Sequence, residues 1–393
     1  MIKIAFITSY GMDKGGTEKF LQTTAALLPK SKFLVDYYYI DNDDKRVSRE
    51  RRNYLIAHDV NLITYQVDEI ISKYRCIFQK NSTFFNVYEK KYDLIITGSC
   101  GLPEDPLINI TDTPILQSIH YVSGVDDQYN ISRVLHISEF SRDIWKKKGG
   151  DDSRSVMISH PIEIQDYRKK DIRKQFLISE DMIVFGLHQR ENDPIFSDIP
   201  LAAYSKIEDP NTVFLLCGGS QRYCEQAKRL GLKKFYHIPS TDSIDTIYSF
   251  LEGIDIYAHG RYDGELNSTA LAEAMYFGLP IISHPSDKYN GHLEVIHDNG
   301  FICKDVEEYA TAMKMLIDHP EKRAMMAAAS KKMYQKRYDK DEQINRIIAI
   351  CIDAIKDPYQ GRKENLRSKL FRRMIIKIKR VIATADWFYR RGI

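Results

Sequence analysis

The stretch 263-DGELNSTALAEAMYFGLPIISHP-285 sets the reading of the whole chain. Asn267 and Ser268 are both N-cap residue types, so a helix is expected to begin there. PIIS at 280–283 reads as the strand that follows. A helix N-terminus carries unpaired N–H groups and the positive end of the helix dipole, which suits a diphosphate. The N–H groups of Ser268 and Thr269 are the expected contacts. Glu265 precedes the helix, and Glu273 lies eight residues on and four after Thr269, hence on the same helix face. Two carboxylates beside a diphosphate seat can accept hydrogen bonds from sugar hydroxyls.

Working outward, short apolar runs alternate with helical stretches. Residues 2–8, 33–40, 93–97, 114–119 and 134–138 read as strands, with a helix over about 17–28. The pattern restarts at 183–187, 213–217, 235–238, 254–258 and 280–283. Strands alternating with helices predict parallel sheets covered on both faces, with ligands beyond the carboxyl ends of the strands. The expected fold class is therefore α/β, two Rossmann-like doubly wound domains facing across a cleft. Their expected limits are 1–165 and 166–335, around a polar hinge at 159–171 that contains Pro161. Helices are expected over 306–318 and 321–337, split by Pro320. A helix over 336–356 is expected to return toward the first domain, followed by a basic tail over 357–393.

The 393 residues are 43% hydrophobic and 28% charged, a globular balance with room for two cores. No run reaches the ~18 apolar residues of a spanning helix, and MIKIAFITSYG reads as a buried first strand and not as a leader. The six cysteines form no C-x-x-C pair, so they read as reduced core residues of a cytoplasmic protein. Charge is uneven. Residues 357–393 hold 11 basic against 3 acidic residues, net +8, while the other 356 carry 46 against 51, net −5. An acidic body without a binding motif argues against nucleic acid as a partner.

Several short motifs occur in order: Gly15-Gly16-Thr17-Glu18 after the first strand, His120 after ILQSI, 136-HISEFSR-142, and Arg190 after the first strand of the second set. Cys217-Gly218-Gly219, the two glutamates of 265–273 with the following Gly278-Leu279-Pro280-Ile281, and Asn299-Gly300-Phe301 complete the set. Over residues 1 to about 340 this set resembles the family 4 glycosyltransferases, which have the GT-B fold and an E-x7-E element. The resemblance implies a retaining transfer of a hexose from a nucleotide-diphosphate sugar, UDP before GDP, to a hydroxyl of a glycan or lipid-linked glycan. It implies that Glu265 holds donor-sugar hydroxyls, Glu273 grips the ribose, and Arg190 binds phosphate. Gly15 and Gly16 let backbone approach the donor phosphate or the acceptor, and His120 orients the acceptor or donates to the sugar.

Two departures stand out. Relatives carry a lysine about five residues after the arginine, where this chain has Ile195; Arg261 is the candidate replacement cation, against a reading as a surface loop residue. Ser268 and Thr269 stand where relatives have glycine and an aliphatic residue, and each adds a hydroxyl. No cofactor or metal is expected: the lone D-x-D, Asp41-Asn42-Asp43, reads as a polar turn. A nucleotide-sugar epimerase of the same architecture and a non-catalytic docking module are the competing readings.

The tail is helical from Leu366. Leu366, Leu370, Phe371, Met374, Ile375, Ile378, Val381 and Ile382 cover one side, and Lys369, Arg372, Arg373, Lys379 and Arg380 the other. Arg367, Ile376 and Lys377 break the pattern, and Trp387, Phe388 and Tyr389 follow. Residues 366–389 suit either an anionic membrane surface or packing on the acidic body or a second copy.

Overall fold

The computed structural model describes residues 1–9, 11–12, 15–41, 48–359 and 366–391; of 366 and 386–391 it describes the backbone alone. Asn42 and Asp43, and the side chains of Trp387, Phe388 and Tyr389, lie outside the described residues. The chain forms two compact units, Met1–Pro161 with Asp341–Ile393, and Ile162–Lys340. The boundaries read from the sequence were 165/166 and 335/336.

The first unit contains β1 (Ile2–Ile7), β2 (Phe33–Ile40), β3 (Asn61–Tyr65), β4 (Glu69–Lys73), β5 (Cys76–Lys80), β6 (Leu94–Ser99), β7 (Ile115–Ile119), β8 (Ile131–His136) and β9 (Ser155–Met157). Seven of these make one parallel sheet in the order β3-β2-β1-β6-β7-β8-β9, while β4 and β5 pair antiparallel as a separate hairpin. Central strands such as IKIAFI and LIITGS are buried along nearly their whole length, as strands covered on both faces must be. Asp36 is a buried charge within β2. Burial raises its pKa, but the Lys90 ammonium at 2.8 Å, the Tyr92 hydroxyl and the Asn61 amide hold it below the usual value. The helix Lys340–Lys356 completes this core, with Ile344, Ile347, Cys351 and Ala354 packed among residues of β1, β2 and β6.

The second unit contains β10 (Ile183–Gln189), β11 (Thr212–Gly218), β12 (Phe235–Ile238), β13 (Ile256–Ala258), β14 (Gly264–Glu265), β15 (Ile281–Ser283), β16 (Tyr289–Asn290) and β17 (Gly300–Ile302). Six form a parallel sheet in the order β12-β11-β10-β13-β15-β17. Apolar clusters fill both faces, one around Leu215, Phe250 and Met275 and the other around Phe185, Tyr204 and Met313. Pro320 opens the helix Pro320–Arg337, where its missing N–H has no helical acceptor to lose.

No described helix is long and apolar enough to cross a membrane. The tail helix Leu366–Arg391 lies against the first unit. Ile376 and Ala383 are buried among Ile71, Cys76, Phe78 and Ile108, so Ile376, one of the three residues that broke the sequence pattern, is an anchor.

Candidate active site

In the second unit the chain leaves β10 toward β11 and β12, then returns to β13 and continues on the opposite side through β15 and β17. The order reverses between β10 and β13, and loops at such a point diverge to leave room for a ligand. Arg190 directly follows β10 and is exposed. His259, Gly260 and Arg261 directly follow β13. The Gln189 side-chain amide donates to the Gly260 carbonyl across 3.0 Å and ties the two loops together.

The glutamate-bearing helix runs Thr269–Tyr276, with Ser268 as N-cap. Ser268 Oγ accepts from the Leu271 N–H at 3.3 Å, and the Ala272 N–H bonds to the Ser268 carbonyl at 3.2 Å. The N–H groups of Ser268, Thr269 and Ala270 therefore have no helical acceptor. Ser268 is 2% exposed, and its hydroxyl is engaged both as the cap and in a hydrogen bond to Glu265, so it is turned inward. Glu273 is 8% exposed, one turn in, and so is not a solvated surface glutamate.

Glu265 sits at the mouth of this helix with both carboxylate oxygens engaged. Arg261 Nη1 donates to Oε1 at 2.9 Å, and His259 Nε2 lies 3.3 Å from Oε2. Burial alone would raise the Glu265 pKa. The His259 hydrogen bond, the Arg261 charge and the Ser268 hydrogen bond outweigh it and hold the group at about 2. An ionised carboxylate only accepts, so His259 Nε2 carries the proton. His259 Nδ1 meets Ser283 Oγ at 2.8 Å. A carboxylate offers about four acceptor positions. Arg261, His259 and Ser268 take three, leaving room for about one further hydroxyl.

Arg261 is largely buried, not the surface residue of the alternative reading, and its charge is shared with Asp263 and Glu265. Its Nε and Nη2 reach Asp263 at 2.7 and 3.3 Å while Nη1 holds Glu265. Ile195 is 2% exposed and supplies no charge.

Three imidazoles, none singled out from the sequence, surround this loop. His292 Nδ1 accepts from the Glu265 N–H at 3.3 Å, and its Nε2 reaches the His284 carbonyl at 3.3 Å. Burial, then the neighbouring His259, lowers the His292 pKa to about 4. His284 Nδ1 meets the Pro285 carbonyl at 2.9 Å and Nε2 the Ser197 hydroxyl at 2.8 Å. Every ring nitrogen of the three is hydrogen-bonded within the protein, so they form a brace for Glu265 and not a metal-ligand set. The position of His259 and His284 just after β13 and β15 was the available clue.

The glycines divide by cause. Gly218 and Gly219 have φ of +72° and +78°, and a Cβ on Gly218 would lie 2.2 Å from the Gln189 carbonyl oxygen. Their need is internal. In the first unit, Gly15 caps the helix Gly16–Leu27 with φ −64°. A Cβ on Gly15 would meet only the flexible Glu18 carboxylate, and one on Gly16 would meet nothing within 4 Å. Neither strain nor packing requires glycine at 16.

His120 follows β7, two strands from the switch point between β1 and β6. Its N–H bonds to the Ser99 carbonyl at 3.2 Å and its Nε2 meets Ser118 Oγ at 2.9 Å. The ring packs on Phe20 and His160 at centroid distances of 5.1 and 5.3 Å. Burial, and then His160, holds its pKa well below the usual value, so the ring is a neutral imidazole. The 136–142 segment is structural: Ser138 caps the helix Glu139–Lys147, and Arg142 pairs with Asp152 at 2.9 Å.

Comparison with known proteins agrees with this geometry. Residues 195–333 match the family model described as Glycosyl transferases group 1, which identifies that segment as a glycosyltransferase domain. No curated protein matches the chain by sequence. Among solved structures, HepE from Anabaena in complex with UDP-glucose is 20% identical, with a TM-score of 0.68 over 90% of this chain and 100% of that one. A glycosyltransferase from Rickettsia africae is 13% identical, with a TM-score of 0.70 over 91% and 99%. WaaG, a glycosyltransferase involved in lipopolysaccharide biosynthesis, is 14% identical, with a TM-score of 0.61 over 88% and 99%. At these identities the likeness establishes the GT-B fold, two Rossmann-like α/β domains.

Proposed function

We propose that the protein is a retaining glycosyltransferase of the E-x7-E type. It moves a hexose from a nucleotide-diphosphate sugar to a hydroxyl of a glycan or lipid-linked glycan at the cytoplasmic side, without a metal. The carrying observation is the open helix end at Ser268–Thr269–Ala270, at the switch point of the second sheet, with Glu265 held ionised beside it. The diphosphate accepts from those N–H groups, and exposed Arg190 adds positive charge. Glu273 takes the ribose and the remaining acceptor position of Glu265 takes one sugar hydroxyl. In the first unit, the Gly15–Gly16 loop and neutral His120 are the ligand-facing elements. The acceptor hydroxyl replaces the diphosphate on the same sugar face, and the leaving phosphate oxygen takes its proton. The chain contributes position and charge stabilisation.

UDP is the favoured carrier and GDP the second. The Anabaena relative is described in complex with UDP and with UDP-glucose, which supports that order. Thermal-shift ranking of UDP- and GDP-sugars tests it, because a ligand that binds the native state raises its melting temperature. The expected result is a larger shift with a UDP-sugar. No shift with any nucleotide sugar would refute the reading.

A further inference from the structure

We propose that the tail helix docks the protein on an anionic bilayer through a face turned away from its own unit. A helix that merely packs on its protein buries its apolar stripe and leaves its charges in water. This one turns two arginines inward and leaves an apolar stripe in water. Arg372 pairs with Asp126 and, at 2.9 Å, with Asp127. Arg380 grips both oxygens of Asp105 at 2.6 Å and lies 4.9 Å over the Phe78 ring. Ile376 and Ala383, on that same inner side, complete the attachment. At about 100° per residue, Leu370, Phe371, Met374, Ile378, Val381 and Ile382 fall on the opposite side. All six are exposed, Phe371 at 60% and Val381 at 63%. Contiguous apolar surface of this kind marks a contact site.

Size and charge select the occupant. Six side chains fall short of the roughly 20–30 residues per side of a stable protein interface. A second copy would also bring equivalent cations together across a two-fold axis. A bilayer asks for no more than an apolar stripe lying at the headgroup boundary with cations beside it. Arg373 and Lys377 are exposed along one flank of the stripe. The inner arginines, engaged with Asp105 and Asp126, fix the helix to the body so that the stripe is presented outward. This docking stands on the tail alone and does not depend on the glycosyl-transfer reading.

The test is flotation of the full chain with phosphatidylcholine vesicles, with and without phosphatidylglycerol, beside light scattering in the absence of lipid. The wild type should float with the anionic vesicles. Phe371→Ser with Ile378→Ser should weaken that binding at least about tenfold, with an unchanged melting temperature because both positions are exposed. Arg373→Gln with Lys377→Gln should weaken binding about tenfold or more on anionic vesicles alone. A wild type that does not float, or variants that float as well as it does, would overturn the proposal. So would a lipid-free dimer that the Phe371/Ile378 pair dissolves, since a second copy would then be the occupant.

Discussion

Arg261 Nη1 donates to Glu265 Oε1 across 2.9 Å, and the same guanidinium is anchored on Asp263. With the hydrogen bonds from His259 and Ser268, this contact keeps a half-buried carboxylate ionised. Arg261→Ala removes the cation and leaves only the His259 and Ser268 hydrogen bonds to oppose burial, so the Glu265 pKa rises from about 2. Activity that needs the ionised form is lost as pH falls through that pKa, so the acid limb of the rate profile moves to higher pH. Loss of a hydrogen bond to a charged group should also lower kcat/KM by about 10- to 100-fold. A pH–rate series checks both, and an unmoved acid limb would count against this role.

Ser268→Asp separates capping from ligand binding. Aspartate is as good an N-cap as serine, and its charge suits a helix N-terminus. The cap itself should change by less than about 1 kcal/mol, while loss of the Ser268 hydrogen bond to Glu265 and the new like-charge pair should lower the melting temperature. The added negative charge stands beside Glu265 and the diphosphate seat, so UDP affinity should fall more than about tenfold. Calorimetric titration with UDP, paired with a melt, reads the two effects separately.

The glycines offer a matched contrast. Gly16→Ala has open space at its Cβ and a helical backbone, so it should melt at or above the wild-type temperature while turnover falls. Gly218→Ala forces a side chain onto φ +72° and against the Gln189 carbonyl, and should cost about 1–3 kcal/mol or more. Equal turnover in Gly16→Ala and wild type would show that nothing approaches that backbone.

Glu104 gives a pH-dependent term in the first unit. It is 1% exposed, and neither carboxylate oxygen has a partner among the described residues. Burial first, then Asp126 and Asp105, push its pKa well up. The native state therefore holds a proton that the unfolded chain releases. Its stability falls as pH rises from the ordinary carboxyl range through the raised value. Glu104→Gln removes that linkage, so its melting temperature should exceed that of the wild type increasingly as pH rises. A constant difference across the series would contradict the assignment.

Much of this was legible because the apolar runs are long. The expected strands at 33–40 and 235–238 and the helix at 306–318 appear with those limits, since each is an uninterrupted periodic segment. The β4–β5 hairpin escaped notice for a physical reason. Its two-residue turn is Tyr74-Arg75, both at positive φ, where a type I′ turn ordinarily advertises itself with asparagine or glycine. The strands β14 and β16 have two residues each, too short for any period. At the candidate site, the sequence placed Glu265 before the helix, Glu273 within it, and the cap at Asn267 or Ser268, of which the second is observed. The brace around Glu265 was hidden because His259, Ser283 and His292 come together only when β13, β15 and the 291–295 turn are packed. In the tail, periodicity separated the two faces, but which of them turns inward depends on Asp105 and Asp126, far away in the chain.

The most direct measurement is a crystal structure with UDP bound. The diphosphate oxygens should lie within about 2.7–3.2 Å of the backbone nitrogens among Ser268, Thr269 and Ala270, with the ribose hydroxyls on Glu273. Ordered UDP elsewhere in the protein, with that helix end bare, would contradict the account.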